Sequence, residues 1–226
     1  CMGLLRVQKT LAGQGERPSL IPHTLSEAFP ASPTDASAVA FALSRLPRTN
    51  APVLWVQDRL SRKEAGRPML AGLPADRPII MVDLSRAADV LWAMEDGLRC
   101  RSLGAVIGEV WGDPAALDFT ATKRLAMRAE AADVSCWLIR RAASPDLSAA
   151  RDRWRIASLP SGAHPHDAQA PGAARWSLDL FRSRRTQPGQ WVATYDAPSD
   201  RVHFAAPVRD RTLEPRDGAG RERAAG

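Results

Sequence analysis

The sequence predicts an α/β fold: a mostly parallel sheet flanked by helices and extended by antiparallel C-terminal hairpin strands. Between residues 52 and 141, short apolar segments alternate with amphipathic helical segments, which is the order of βαβ units. Apolar runs such as 77–82 show no polar alternation, and this indicates strands buried on both faces. After residue 145, segments that alternate apolar and polar residues are separated by turn-forming clusters, which is typical of hairpins.

The chain divides into an arm, one domain and a tail. Residues 1–22 are predicted to form a short amphipathic helix and a Gly/Pro-rich linker, and residues 23–208 form the α/β domain. Residues 209–226 contain few apolar side chains, so we expect a disordered tail. In chain order, the predicted elements of the domain are strand 23–28, helix 35–46, strand 52–57, a weak helix at 62–73, strand 77–82, helix 85–100 capped by Ser85, strand 102–110, helix 115–132, strand 135–141 and hairpin segments 151–159, 174–185 and 189–206.

Composition narrows the function classes. The chain of 226 residues has a net charge of +6, and 28 of its 31 basic residues are arginine, since lysine occurs only three times. Guanidinium groups suit contacts with phosphates or acidic proteins, but an arginine bias also follows from a GC-rich genome, so both explanations stay open. No apolar run is long enough for a membrane span and no signal peptide is visible, so we expect a cytoplasmic protein. Scattered histidines and three cysteines predict neither a metal site nor disulfides.

Four long segments resemble the ImuA family. They are ADVLWAMEDGLRCRSLGAVIGEVWG, LDFTATKRLAMRAEAADVSCWLIRR, RDRWRIASLPS and RWSLDLFRSRRTQPGQWVATYD, and the resemblance extends from about residue 52 to 204. It implies a RecA-like core that acts in the SOS response. It further implies partnership with an ImuB-like protein, itself an inactive relative of Y-family polymerases, and through it with an error-prone DNA polymerase in translesion synthesis. The resemblance requires no independent enzymatic activity.

A RecA-like core should carry a phosphate-binding loop after its first strand. Glycines in such a loop let backbone N–H groups surround the phosphates, and a lysine neutralises them. This chain has FPASPTDAS there, without glycine, and Asp35 stands where the lysine is expected. A carboxylate near a phosphate costs about 4 kcal/mol per close charge pair. We therefore expect no nucleotide cofactor, and we interpret Asp35, with Thr34, as a cap of the following helix.

Glu109 ends the central strand AVIGEV, where a nucleotide-binding protein would carry the acid that holds magnesium. Without a phosphate-binding loop, the simpler interpretation is a carboxylate that is solvated or paired with an arginine. Asp35 and Glu109 are thus candidates for the remnants of a cofactor-binding site, and no catalytic residue is predicted. Glu64 is interpreted as an exposed helix charge.

Binding residues are predicted among the arginines and tryptophans. The run Arg182-Ser183-Arg184-Arg185 precedes a hairpin turn, where charge can project toward phosphates or an acidic surface. Most of the seven tryptophans are expected in the core, whereas Trp111, in a predicted loop, is expected to be exposed and to mark a partner surface. The candidates for nucleic-acid or partner binding are Arg140, Arg141, Arg182, Arg184, Arg185 and Trp111.

The sequence therefore predicts a non-catalytic accessory protein of SOS-induced, error-prone translesion synthesis that binds an ImuB-like protein. DNA contact is expected to be weak and indifferent to base sequence, and the N-terminal arm is a candidate for self-association. Two alternatives stay open. One is an ATP-dependent DNA-binding protein with a rearranged nucleotide site, and the other is a SulA-like inhibitor of cell division.

Overall fold

A computed structural model describes residues 23–69 and 77–205, which form one nine-stranded sheet with helices on both faces. The predicted arm (1–22) and tail (209–226) lie outside the described residues. In chain order the elements are β1 (Leu25–Pro30), α1 (Ser37–Ser44), β2 (Val53–Asp58), α2 (Arg59–Ala65), β3 (Ile79–Leu84), α3 (Ala87–Gly97), β4 (Ala105–Trp111), α4 (Phe119–Ala132), β5 (Ser135–Arg141), β6 (Asp152–Leu159), β7 (Arg175–Ser183), β8 (Gly189–Asp196) and β9 (Arg201–Ala205).

The strands follow the order β3-β2-β4-β5-β1-β6-β7-β8-β9. The first six in this order are parallel to their neighbours, and β7, β8 and β9 continue the sheet as an antiparallel extension. All seven residues of β5 are buried, as expected for a strand covered on both faces. The predicted mixed sheet with antiparallel C-terminal strands is therefore confirmed.

Helix α1 covers one face of the sheet through an aromatic cluster. The Phe41 ring lies 5.1 Å from the Trp154 ring, 6.0 Å from Trp137 and 6.2 Å from Trp176, measured between centroids. Trp154 also contacts Trp191. Aromatic pairs in these tilted and edge-on geometries add to the free energy gained from burial. The prediction that most of the tryptophans are core residues is correct for this face.

Helices α3 and α4 cover the other face. Val90 and Met94 of α3 and Leu125 of α4 are fully buried against the strands. Helix α3 approaches β4 closely at Gly108, where an added Cβ would meet the Met94 side chain. The absence of a side chain at Gly108 therefore allows this packing.

Several predicted boundaries differ from the structure. Helix α2 ends at Ala65 because Gly66 follows with φ of 79°, so the predicted helix at 62–73 is too long. Helix α4 begins at Phe119 rather than 115, because the Asp118 carboxylate accepts the Ala121 N–H at 2.7 Å and caps it there. Ser85 does not cap α3, whose N-cap position is Arg86. No helix among residues 23–69 and 77–205 has both the length and the apolar character needed to cross a bilayer.

Candidate functional site

The carboxyl ends of the parallel strands bring together the residues that a nucleotide site would use. In an open α/β sheet, ligands bind at this edge. Here β1 runs through a loop at residues 31–36 into α1, its neighbour β5 ends with Arg141, and Glu109 lies two residues before the end of β4, on the other side of β5.

Glu109 is buried and fully engaged by other side chains. Only 1% of its surface is exposed. One carboxylate oxygen, Oε1, accepts hydrogen bonds from Trp55 Nε1 at 2.8 Å and Gln57 Nε2 at 3.0 Å. The other, Oε2, accepts one from Arg141 Nε at 2.6 Å. Of the two predicted surroundings of Glu109, solvent or an arginine, the structure has the arginine. The carboxylate is thus held as an internal ion pair rather than presented to a metal.

Arg141 connects this pair to the loop after β1. Its Nη1 donates to the backbone carbonyls of Pro33 at 2.8 Å and Asp35 at 3.1 Å. A phosphate-binding loop presents N–H groups to an anion, whereas this loop presents carbonyl oxygens to a cation. The guanidinium therefore binds the loop from the side where a nucleotide phosphate would be expected.

Asp35 fixes the same loop from the other direction. Its Oδ1 accepts the N–H of Ser37, the first residue of α1, at 2.8 Å, and its Oδ2 accepts the N–H of Ser158 at 2.8 Å. The Ser158 hydroxyl also donates to Oδ1, at 2.6 Å. Partial burial raises the pKa of Asp35, but the hydrogen bonds from Ser158 and Ser37 outweigh it, so the pKa lies below its usual value. The predicted capping role is placed one residue before the N-cap Ala36, and Thr34 contributes no cap.

A second buried network joins β1, β5 and β6. Glu27 is fully buried and accepts hydrogen bonds from Arg153 Nε at 2.6 Å and the Ser148 hydroxyl at 2.8 Å. Arg140 lies 3.8 Å from the same carboxylate and 2.7 Å from Asp113. Glu27 could not be identified from the sequence, because a single acid in the apolar segment LSEAFP gives no sign of its partners.

The prediction that Arg140 and Arg141 contact nucleic acid or a partner is therefore corrected, because both side chains are buried. Each is 4% exposed and is held by carboxylates within the fold. A direct contact with DNA or a partner needs exposed guanidinium groups. Burial of both faces of β5 turns this Arg-Arg pair inward, although it stands at the end of a strand.

A cavity of about 210 Å³ opens beside Glu109 and Arg141. Among the described residues its walls are mostly apolar, with Val39, Leu43 and Trp55 among them. Sites for drug-sized ligands usually start at about 300 Å³. Among the described residues its ionisable side chains are Arg67, Glu109 and Arg141, and the last two already pair with each other.

Arg182, Arg184 and Arg185 lie at the opposite edge of the sheet. Ser183 of β7 pairs with Asp152, the first residue of β6, so the β7–β8 turn is near the amino ends of the parallel strands. All three arginines are exposed, and no ion pair joins them to another of the described residues. The charge of Arg184 helps the hydrogen bond from Arg151 to lower the pKa of Glu130. The structure thus presents the predicted basic turn but separates it from Arg140 and Arg141.

The exposed tryptophan is Trp92 rather than Trp111. Trp111 is the last residue of β4 and is half-buried, and its backbone N–H donates to Asp58 Oδ2 at 2.9 Å. Trp92, on the outer side of α3, is 67% exposed. The predicted exposure of Trp111 is therefore wrong, whereas the prediction that most of the tryptophans are core residues is correct.

The chain was compared with known proteins. No family model matches it. Protein ImuA of Caulobacter vibrioides strain NA1000 / CB15N is 33% identical over 155 residues, which cover 64% of this chain and 61% of that protein. Protein ImuA of Caulobacter vibrioides strain ATCC 19089 / CIP 103742 / CB 15 matches equally. The chain thus spans about 61% of the length of these curated relatives.

Proposed function

We propose, from the similarity of this chain to protein ImuA of Caulobacter vibrioides, that it is a non-catalytic accessory protein of DNA-damage-induced, error-prone translesion synthesis. It acts by docking to an ImuB-like protein, and through that protein it supports an error-prone DNA polymerase. The proposal includes a RecA-like core, which is supported by the strand, loop and helix at β1–α1 and by Glu109 near the end of β4.

One observation carries the non-catalytic part of this proposal. The space beside the β1–α1 loop is filled by the Arg141 guanidinium, which binds two loop carbonyls and Glu109. A nucleotide would have to displace a buried ion pair and then meet carbonyl oxygens instead of N–H groups. Breaking a buried pair costs about 3–5 kcal/mol. This cost removes most of the affinity expected of a phosphate site.

The corresponding experiment is a thermal melt with and without Mg-ATP. We expect no change in melting temperature at millimolar nucleotide, because only a ligand that binds the folded state raises it. An increase of several degrees that needs magnesium would favour the alternative, an ATP-dependent protein with a rearranged site. A pull-down with the ImuB-like partner then tests docking. The full chain is expected to bind the ImuB-like protein. Binding to the GTPase that drives cell division, with none to the ImuB-like protein, would favour the SulA-like alternative.

We further propose that the β7–β8 turn, defined by Arg182, Arg184 and Arg185, supplies a weak, sequence-indifferent contact with DNA. Its support is the exposure of three guanidinium groups that have no ion-pair partner among the described residues. Each phosphate that is neutralised adds about 0.7–0.9 to the slope of log K against log salt. Replacing all three by alanine should reduce that slope by about 2–3.

A matched control removes the same charge elsewhere. Arg59, Arg99 and Arg101 are also exposed and lie outside the β7–β8 turn, so their replacement by alanine lowers the net charge equally. We expect this control to reduce the slope far less. Equal losses in both triple variants would assign DNA binding to overall charge and not to the turn.

A further inference from the structure

A second cavity, of about 490 Å³, lies beside the edge strand β9 and the end of α1. Its walls are polar and basic, and they include no Trp, Tyr or Phe among the described residues. The lining residues are Ser44, Arg45, Leu46, Arg48, Asp200, Arg201, Val202 and His203. This volume falls within the usual range of about 300–1,000 Å³ for ligand sites.

Arg45, one of the lining residues, carries a hydrogen-bond donor without an acceptor among the described residues. Its guanidinium carbon lies 5.6 Å from the Phe204 ring centroid, and its Nε is buried without a hydrogen-bond acceptor among the described residues. Burial lowers the pKa of Arg45, in keeping with the partial desolvation of its guanidinium. A buried donor without a partner usually marks a missing acceptor.

The carboxylate of Asp200, the only one among the described residues that line the cavity, does not supply that acceptor. Asp200 accepts the Tyr195 hydroxyl at 2.8 Å and lies 3.9 Å from Arg48. Arg48 also donates to the backbone carbonyl of Ser199 at 3.0 Å. Arg201 is exposed and has no ion-pair partner in the described part of the chain. Arg45 and Arg201 thus leave an excess of positive charge that calls for an anionic group.

The cavity also meets a free strand edge. Three consecutive residues of β9, from Arg201 to His203, line it. Neighbouring side chains of a strand point to opposite faces of the sheet, so a cavity that touches all three lies at the edge of the strand. Among the described strands β9 pairs only with β8, so its other side offers backbone N–H and C=O groups. Such an edge accepts an added strand from an extended peptide.

We propose that β9 and its adjoining cavity bind an extended acidic segment of a partner protein. The segment pairs its backbone with β9, and one of its carboxylates enters the cavity to accept hydrogen bonds from Arg45 and Arg201. A carboxylate in a strand fits better than nucleic acid, because the described residues that line the cavity include no Trp, Tyr or Phe ring to stack a base. The site lies at the end of β8 opposite to the β7–β8 turn, so it is separate from the proposed DNA contact.

The test measures fluorescence anisotropy of a labelled peptide of alternating glutamate and valine, added to the full chain. We expect saturable binding that weakens at least tenfold in Arg45→Gln and in Arg201→Gln, because each removes a charge-assisted hydrogen bond. The same peptide with alternate backbone nitrogens methylated should not bind, since it cannot pair with a strand edge. Arg101→Gln, at an exposed arginine elsewhere, should leave binding unchanged.

Each outcome decides the proposal. Arg45→Gln is first checked for a cooperative melt, and Arg201→Gln provides a surface variant whose folding is not in question. The proposal fails if the peptide does not bind, or if Arg101→Gln weakens binding as much as the two cavity variants. It also fails if an oligothymidylate displaces the peptide from the wild type and loses its affinity in Arg201→Gln, since the cavity would then bind nucleic acid.

Discussion

At the scale of single residues, the Glu109–Arg141 pair determines what the carboxyl edge of the sheet can do. Both side chains are buried, and the guanidinium extends the pair to the loop after β1. A buried pair gives little net stability compared with apolar residues, but leaving one partner alone is costly. Its effect on the fold should therefore be seen by removing one side chain and then both.

Glu109→Gln is expected to destabilise the fold by about 3–5 kcal/mol, because Arg141 then keeps a buried charge without a counter-ion. Urea denaturation measures this change. The double variant Glu109→Gln, Arg141→Met should recover a large part of the loss. The matched control Glu64→Gln removes an exposed acid on α2 and should change stability by less than about 0.5 kcal/mol. A loss in Glu109→Gln no larger than in this control would contradict the assigned role of the pair.

Asp35→Ala is expected to cost about 1–2 kcal/mol at neutral pH, because Ser37 and Ser158 lose their acceptor. The folded state lowers the pKa of Asp35, so its contribution is present above the ordinary aspartate pKa and is lost as pH falls through the lowered value. The stability difference between wild type and variant should therefore shrink in acid. Asp146→Ala, at an exposed loop aspartate, is the control and should show neither effect.

The sequence could indicate which residue types stand at these positions, but not whether their side chains point into the core or toward solvent. A missing glycine loop and the acids at Asp35 and Glu109 are visible in the letters. That Arg140 and Arg141 turn inward depends on which strands flank β5, and this order is a property of the tertiary structure. A basic pair at a strand end has the same appearance in sequence whether it is solvated or buried.

At the scale of elements, the strands could be predicted well because continuous apolar runs leave few alternatives. The prediction 135–141 coincides with β5, and 77–82 overlaps most of β3. Helix ends were less certain, since they depend on capping contacts such as the one from Asp118 to Ala121. Periodicity alone does not show how far around α3 the buried face extends, so the sequence could not identify Trp92 as the exposed tryptophan.

Gly108→Val tests the approach of α3 to β4. The added side chain would overlap Met94, so we expect a loss of about 1–3 kcal/mol in the free energy of unfolding, measured by denaturation. Adding Met94→Ala to this variant removes the overlapping atoms and should restore part of the loss. If the double variant were less stable than the sum of the two single changes, the overlap would not be the cause.

At the scale of the whole molecule, the charged groups are divided between the carboxyl ends and the amino ends of the parallel strands. The carboxyl edge holds its charges in buried pairs, whereas the β7–β8 turn at the amino edge presents three exposed arginines. Distant sites that share no partner should respond to substitution independently.

Replacing Arg182, Arg184 and Arg185 by alanine is therefore expected to leave the melting temperature nearly unchanged, whereas Glu109→Gln lowers it. Combining both sets of changes should give stability losses that add within about 0.5 kcal/mol. Calorimetry of the three variants measures this. A coupling larger than about 1 kcal/mol would mean that the two edges share a network that the structure does not show.

The central position of β1 has a consequence for synthesis of the chain. This strand is made early, but its neighbours are β5 and β6, and Leu25 pairs with Cys136, about 110 residues later. At about 5–20 residues per second, a ribosome needs roughly 5–20 s to supply the first partner strand. During that interval the apolar side chains of β1 have no sheet to join. Newly made chains should therefore depend on chaperones, or on slow translation between β1 and β5.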